Sequence, residues 1–281
     1  YLVQIMNSEK KNFKSGLYVV ATPIGNLGDI SSRFKNIIES SDYILCEDTR
    51  VTLKILNYLK IKSKLVAFHK FNENKETEKI LNDLKKGKVI SLLSDAGTPS
   101  LSDPGINLIE MCHQNSISVI PISGPSAITS AMSVSGFMDE FYFAGFLPKK
   151  NKELEDKLEN LQKIEASIVL FFPARDLEKY QKYFLNYFPE CEFFIAREMT
   201  KLHETYIRDK MENLGKYIDA NQKGEMTFII SNKKIEKVVD IEKEIKLLIG
   251  KMSSKDISEY LSKKLDINKK SIYQKVLEID E

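Results

Sequence analysis

Five short segments of this 281-residue chain combine residue types that can do chemistry. The longest is Ser94-Asp95-Ala96-Gly97-Thr98-Pro99-Ser100-Leu101-Ser102-Asp103-Pro104-Gly105, where two Gly, two Pro, two Asp and three Ser exclude helix or strand interior. It follows the apolar run Val89-Ile90-Ser91-Leu92-Leu93 and leads into Ile106-Asn107-Leu108-Ile109-Glu110-Met111-Cys112, with Pro104 suited to the first turn of that helix. Open α/β sheets hold ligands on such loops at the carboxyl ends of strands; a long turn is the alternative. In Thr22-Pro23-Ile24-Gly25-Asn26-Leu27-Gly28-Asp29-Ile30-Ser31, Gly25 and Gly28 let a ligand approach the backbone, and Asp29 is placed to cap the next helix. The segment has neither GxGxxG spacing nor a Walker lysine, which disfavours a dinucleotide fingerprint and a P-loop.

Cys46-Glu47-Asp48-Thr49-Arg50 puts three charged side chains at a strand end, where burying them unused is expensive. Arg50 suits a phosphate or carboxylate; the alternative is a helix N-cap by Asp48 with an internal Arg–carboxylate pair. Ile122-Ser123-Gly124-Pro125-Ser126-Ala127 suits a helix N-terminus pressed against a ligand or against the sheet. Arg197-Glu198-Met199-Thr200-Lys201-Leu202-His203-Glu204 alternates charge between two strands, as a solvated edge or as part of a site. Loops that follow strands of one parallel sheet gather along one edge, so these segments predict a cleft lined by backbone and small residues. His69 and His113 have no nucleophile in motif context, and a hydrolase triad is not indicated.

The elements that must position these loops are legible as apolar runs. Strands are predicted at 17–21, 43–46, 64–68, 88–93 and 118–121, with helices at 30–40, 49–59, 73–86, 104–115 and 125–135. This alternation argues for a mainly parallel sheet covered on both faces. Beyond Gly136, strands at 141–146, 167–172, 191–196, 204–207 and 225–230 and helices at 151–163, 176–187 and 211–221 predict a second, mixed α/β lobe. The short join at 136–140 implies closely apposed lobes. From about 236, apolar helical stripes at 245–249, 257–261 and 272–277 predict a small helical domain, with Ser254 capping its second helix. Its Lys251, Lys255, Lys263, Lys264, Lys269, Lys270 and Lys275 face few acids (Asp256, Glu259, Asp266), as a solvated face or a phosphate-contacting patch. The expected organisation is thus 16–136, 137–235 and 236–281, with 1–15 outside the folded part and Met6 as the natural start.

Composition is that of an ordinary globular protein, 42% hydrophobic and 29% charged, and its length suits two α/β lobes. A net charge of +2 does not announce a nucleic-acid binder, so any such partner must meet a local patch. Cys46, Cys112 and Cys191 are odd in number and lack metal spacing, which points to a reduced cytosolic protein without disulfide or zinc. No apolar run has the length of a membrane span, and the N-terminus has no signal-peptide core.

Taken together, the loops at 22–29, 46–50, 94–105 and 124–127, with Gly145-Phe146-Leu147-Pro148 and Arg197-Glu198-Met199-Thr200-Lys201, resemble in order and spacing the tetrapyrrole methylase superfamily, in its branch that modifies ribosomal RNA. The resemblance runs from about 17 to 232, and the helical tail also resembles that branch. It implies an α/β, two-lobed tetrapyrrole methylase-like fold with an interlobe cleft, a small C-terminal helical domain and a cytoplasmic homodimer. It further implies S-adenosylmethionine-dependent 2′-O-methylation of a cytidine ribose, the nucleotide called C1402 of 16S ribosomal RNA, in naked RNA or the small ribosomal subunit, without metal or membrane. By position, the methyl donor would lie against Pro23, Asp95, Ala96, Gly97, Thr98, Pro99, Ser126 and Ala127. One departure is Phe171-Phe172-Pro173-Ala174-Arg175-Asp176-Leu177, where the branch often carries an acidic residue and Pro-His-Arg; Arg175 is kept, Glu and His are not.

Methyl transfer to a ribose hydroxyl is an in-line displacement in which positioning supplies roughly 7–11 kcal/mol. The hydroxyl must also lose a proton, which a base or a cation beside the developing alkoxide assists. Lys201 or Arg50 is the candidate cation and Glu47, Asp48 or Glu198 the candidate acceptor or orienter, with Asp48 and Lys201 foremost. Lys149, Lys150, Lys263, Lys264, Lys269 and Lys270 are candidates for RNA backbone contact. Competing readings are a methylase acting on a tetrapyrrole and a non-enzymatic nucleic-acid module using the helical tail.

Overall fold

The structure, a computed structural model, describes residues 13–137, 140–219, 223–232, 241–265 and 268–280. Strands β1 (Gly16–Val20), β2 (Tyr43–Cys46), β3 (Leu65–Ala67), β4 (Val89–Leu93) and β5 (Val119–Ile122) form a sheet of order β3-β2-β4-β1-β5 in which all pairs are parallel. Its strands are apolar on both sides, as a doubly covered sheet requires. Leu17, Tyr43, Leu45, Ile90 and Leu92 meet α3 (Glu73–Lys85) and α4 (Ile106–Gln114), whereas Tyr18, Val20, Ile44 and Leu93 meet α1 (Ser32–Ser40) and α2 (Thr49–Leu59). A slip of one residue would exchange these faces, each buried aliphatic side chain being worth about 1.5–3 kcal/mol. Register is therefore tightly specified.

The second sheet has β6 (Phe141–Phe146), β7 (Ser167–Pro173), β8 (Glu192–Arg197), β9 (Thr205–Lys210) and β10 (Glu225–Ser231) in the order β6-β7-β10-β8-β9. Only β6 and β7 pair in parallel, so the sheet is mixed, as expected. One face, with Ile168, Leu170, Phe193, Ile195 and Phe228, packs on α6 (Asn151–Gln162) and α7 (Leu177–Tyr187). The other face, with Val169, Phe194, Ala196 and Ile229, receives Ile128 and Ala131 of α5 (Ala127–Ser135). The helix that follows the parallel sheet thus packs on the mixed one and joins the lobes. Arg208 fixes its end, its guanidinium donating to the carbonyls of Ser135 (3.3 Å) and Gly136 (3.1 Å) and lying 4.6 Å over the Phe137 ring.

The described residues up to Asn232 form one compact unit and those from Ile241 onward another. The latter holds α8 (Ile241–Leu248), α9 (Ser254–Leu265) and α10 (Lys269–Asp280), closed around Ile245, Ile257, Leu261, Ile272 and Val276. The expected boundary near 236 and the segment 1–12 lie outside the described residues. Among described residues no helix is long and apolar enough to cross a membrane.

Four local expectations are corrected. The helix expected at 211–221 is a 3-10 segment, Met211–Tyr217. Helix α4 starts at Ile106, because Gly105 at φ 126 breaks the helical path after Pro104. Ser31, not Asp29, caps α1 by accepting from the Phe34 amide at 3.1 Å. Ser253, not Ser254, caps α9: it accepts from the Asp256 amide (3.3 Å) while its hydroxyl donates to the Asp256 carboxylate (2.6 Å). For α1 and α9 the cap lies two residues and one residue, respectively, from where side-chain type alone puts it, because the cap is the residue that flanks the first helical turn.

Candidate active site

Strands β1 and β4 lie side by side, yet the chain leaves β1 toward β2 and β4 toward β5, on opposite sides. This divergence opens a crevice at the carboxyl edge of the sheet. The loops on its two sides are tied together: Thr22 and Gly97 exchange both backbone hydrogen bonds, at 2.8 and 3.1 Å. The fully buried Thr22 hydroxyl donates toward the carbonyls of Ser94 (3.1 Å) and Gly97 (3.3 Å), and the Ser94 hydroxyl also reaches Gly97 (3.1 Å). At the far end of the 94–105 loop, the buried Glu73 carboxylate accepts from the Gly105 amide at 3.2 Å. Asp95 accepts from the Asp48 amide at 3.1 Å and fastens the loop after β2 to the same edge.

The second lobe contributes the turn after β8. A Cβ on Gly25 would lie 2.5 Å from Lys201 Cγ and 2.8 Å from the Thr200 hydroxyl, so the glycine is what lets the 22–29 loop seat on that turn. Glu198 (φ 51) and Thr200 (φ 66) take left-handed backbone there, as do Ser100 (φ 67) and Ser102 (φ 77) in the facing loop. Such conformations are costly for residues with a Cβ, above all a β-branched one, and they gather where a site must be shaped. Glu198 Oε1 accepts from Lys201 Nζ (2.8 Å) and from the Glu225 amide (3.0 Å). Burial acts to raise its carboxyl, but these hydrogen bonds outweigh it and the net shift is downward. Lys201 is thereby held as one half of an oriented ion pair.

Between the lobes is a cavity of about 320 Å³. The parallel sheet supplies Ile24, Glu47, Asp95–Thr98 and Leu101–Asp103; α5 and its cap supply Ser126–Ile128. The mixed sheet supplies Phe146, Phe171–Pro173, Ala196, Glu198, Met199, Lys201 and Glu225–Thr227. Its lining carries the carboxylates of Glu47, Asp95, Asp103, Glu198 and Glu225 against the single ammonium of Lys201. Burial, reinforced by Glu47, pushes the Asp103 carboxyl up to about 6; burial likewise raises Glu47 and Asp95. An apolar chamber whose acids repel one another is suited to a small organic cation.

Of the residues singled out in sequence, Glu47, Asp95, Ala96, Gly97, Thr98, Ser126, Ala127, Glu198 and Lys201 are brought together around this cavity. Pro23 and Pro99 are buried but do not line it. Asp48 caps α2, accepting from the Arg50 amide (2.8 Å) and pairing with its guanidinium (2.6 Å); that bonding lowers its carboxyl to about 2. Arg50 itself points to solvent, 88% exposed, and neither residue lines the cavity. Lys149 and Lys150 are exposed just before α6. In the tail, Glu259 pairs with Lys263 (3.2 Å) and Lys269 (2.7 Å), and Glu244 with Lys264 (3.0 Å), while Lys270 is exposed. Asp103, Phe146, Met199, Glu225 and Thr227 line the cavity without having been assigned a role from sequence. Thr227 carried a signal, a buried hydroxyl within the apolar run Met226-Thr227-Phe228-Ile229-Ile230; Glu225, at a strand end, carried none.

With this geometry, the chain belongs to the tetrapyrrole (corrin/porphyrin) methylase family, whose model matches residues 16–215. It is 42% identical over 219 residues to the ribosomal RNA small subunit methyltransferase I of Thermotoga maritima, covering 77% of this chain and 98% of that protein. It is 37% identical over 282 residues to the protein of the same name from Pasteurella multocida, covering 95% and 98%. Among solved structures, a diphthine synthase (TM-score 0.59, 13% identity, 76% of this chain and 89% of that one) shares the fold. So does a uroporphyrin-III-C-methyltransferase from Thermus thermophilus (TM-score 0.55, 16% identity, 78% and 95%).

Proposed function

We propose that this protein is an S-adenosylmethionine-dependent methyltransferase acting on the ribose 2′-hydroxyl of a cytidine in 16S ribosomal RNA. The observation that carries the reading is the 37% identity over 95% of the chain, tail included, to a relative named ribosomal RNA small subunit methyltransferase I. The cavity fits the donor by its chemistry: it is apolar, acidic and edged by the loops after β1 and β4. S-adenosylmethionine supplies, when bound, an electrophilic methyl on a sulfonium.

Asp95–Thr98 with Ser126 and Ala127 would hold that donor, and the field of Glu47, Asp95 and Asp103 favours its positive charge. Lys201, oriented by Glu198, is the cation that would meet an oxygen losing its proton. Glu47 is the better acceptor of that proton: it lines the cavity and burial raises its carboxyl, whereas Asp48 is tied to Arg50. Lys149, Lys150 and the lysines of α9 and α10 would contact RNA phosphates. The protein would work in the cytoplasm as a homodimer, on RNA either free or within the small subunit.

The test is incubation with methyl-labelled S-adenosylmethionine and either 16S RNA or small subunits, followed by nucleoside analysis. Label in a cytidine 2′-O-methyl group is the expected result. Label in a tetrapyrrole offered in competition, with none in RNA, would overturn the reading.

A further inference from the structure

Strand β6 does not run regularly to the cavity. Phe141, Tyr142 and Phe143 pair in register with Ser167, Ile168 and Val169, then the register shifts so that Gly145 opposes Leu170 and Phe146 opposes Phe171. The shift takes Ala144 out of the ladder, and strand alternation resumes one residue late. Phe146 is thereby turned onto the face of Phe143 and Phe171, where regular pleating would have sent it to the face covered by α6 and α7. The rings meet edge-on, Phe143 to Phe171 at 5.0 Å and Phe146 to Phe171 at 5.8 Å.

The irregularity is built rather than incidental. Lys157 of α6 donates to the carbonyls of Ala144 (2.6 Å) and Phe146 (3.0 Å). Gly145 takes φ 66, and a Cβ there would lie 3.2 Å from the Ser102 hydroxyl of the facing loop. All this serves to keep a phenyl ring 57% exposed at the edge of the cavity, while Phe172 beside it is 3% exposed. An aromatic ring whose backbone is pinned by Lys157 and which is left largely uncovered offers a stacking surface, and the exposed Lys149 and Lys150 follow within four residues.

We infer that Phe146 is the platform on which the pyrimidine base of the target nucleotide stacks when its ribose enters the cavity. This rests on the RNA-methylating reading above. A nucleotide must leave its neighbours for its 2′-oxygen to reach a donor between two lobes, and an aromatic face replaces the stacking it loses. The ring then contacts substrate and sets its position, while Lys157 acts only through the bulge.

The sequence contains no tryptophan, so F146W would carry the chain's sole indole and report its own environment. A short cytidine-containing RNA should quench that fluorescence, and S-adenosylmethionine alone should not. F146A should raise KM for RNA roughly 5- to 100-fold, with donor Kd and Tm unchanged and F146W close to wild type. K157M should raise KM in the same direction. Quenching by the donor alone, or weaker donor binding in F146A, would assign the ring to the donor and overturn the inference. So would an F146A enzyme with unchanged KM beside an active wild type. A wild type that transfers no methyl to RNA would instead overturn the RNA-methylating reading itself, and this inference with it.

Discussion

The Glu198–Lys201 pair concentrates what a single side chain can do at this site. Its carboxylate is bound by an ammonium and an amide, and a Cβ on the neighbouring Gly224 (φ 99) would sit 2.5 Å from it. Lys201→Ala is expected to lower kcat by about 10²–10³ with donor affinity little changed, as loss of one preorganised charge commonly does. Single-turnover kinetics with RNA would check this. Asp103 gives a pH signature. Its carboxyl, pushed up to about 6 from an ordinary 3.8 by burial and by Glu47, keeps its proton in the folded state where the unfolded chain has lost it. That contribution to stability is full below the ordinary value and lost as pH rises through about 6. Asp103→Asn is therefore expected to raise Tm at pH 8 and change it little below pH 4. A cation in the cavity needs the ionised form, so donor affinity in the wild type should fall as pH drops through about 6 and fall less in D103N; titration calorimetry at both ends of the range measures it. At this scale the sequence could nominate the carboxylates, but it could not distinguish them. Glu47 and Asp48 are adjacent, yet one lines the cavity and the other is a helix cap. The direction a side chain takes at a strand end depends on the turn that follows.

Among elements, the tie between the loops after β1 and β4 matters most. Thr22→Val removes a buried hydroxyl from the carbonyls of Ser94 and Gly97. It is expected to cost about 1–3 kcal/mol of stability and to weaken donor binding more than RNA binding. Thermal melts with and without donor would separate the two effects. Strands and helices were largely legible, because apolar alternation and helical periodicity are local: 43–46, 49–59 and 141–146 coincide with β2, α2 and β6. The exceptions are instructive. The 3-10 segment Met211–Tyr217 buries Met211 and Leu214 at a spacing that a short α-helix would share. The bulge at Gly145 has no local signature beyond a glycine, since it is defined by the partner strand.

For the molecule as a whole, net charge is +2, so affinity for RNA must come from particular lysines. Replacing Lys149 and Lys150 with alanine is expected to reduce the slope of log K against log salt by about 1.4, at roughly 0.7 per single-strand phosphate contact. Replacing Lys263, Lys264, Lys269 and Lys270 together should reduce it by less than the ~2.8 that four contacts would give, because Glu259 and Glu244 already hold three of them. An unchanged slope in the second variant would remove the tail lysines from the RNA surface. By itself the sequence determined the two α/β lobes, the helical tail and which loops carry polar and small residues, since periodicity and turn chemistry are properties of neighbours along the chain. Tertiary structure alone decided that α5 packs on the mixed sheet, that Glu225 and Phe146 share a cavity with the loop at 94–105, and that Asp48 does not. Those outcomes depend on strand order and on register between segments far apart in sequence. No window of residues encodes them.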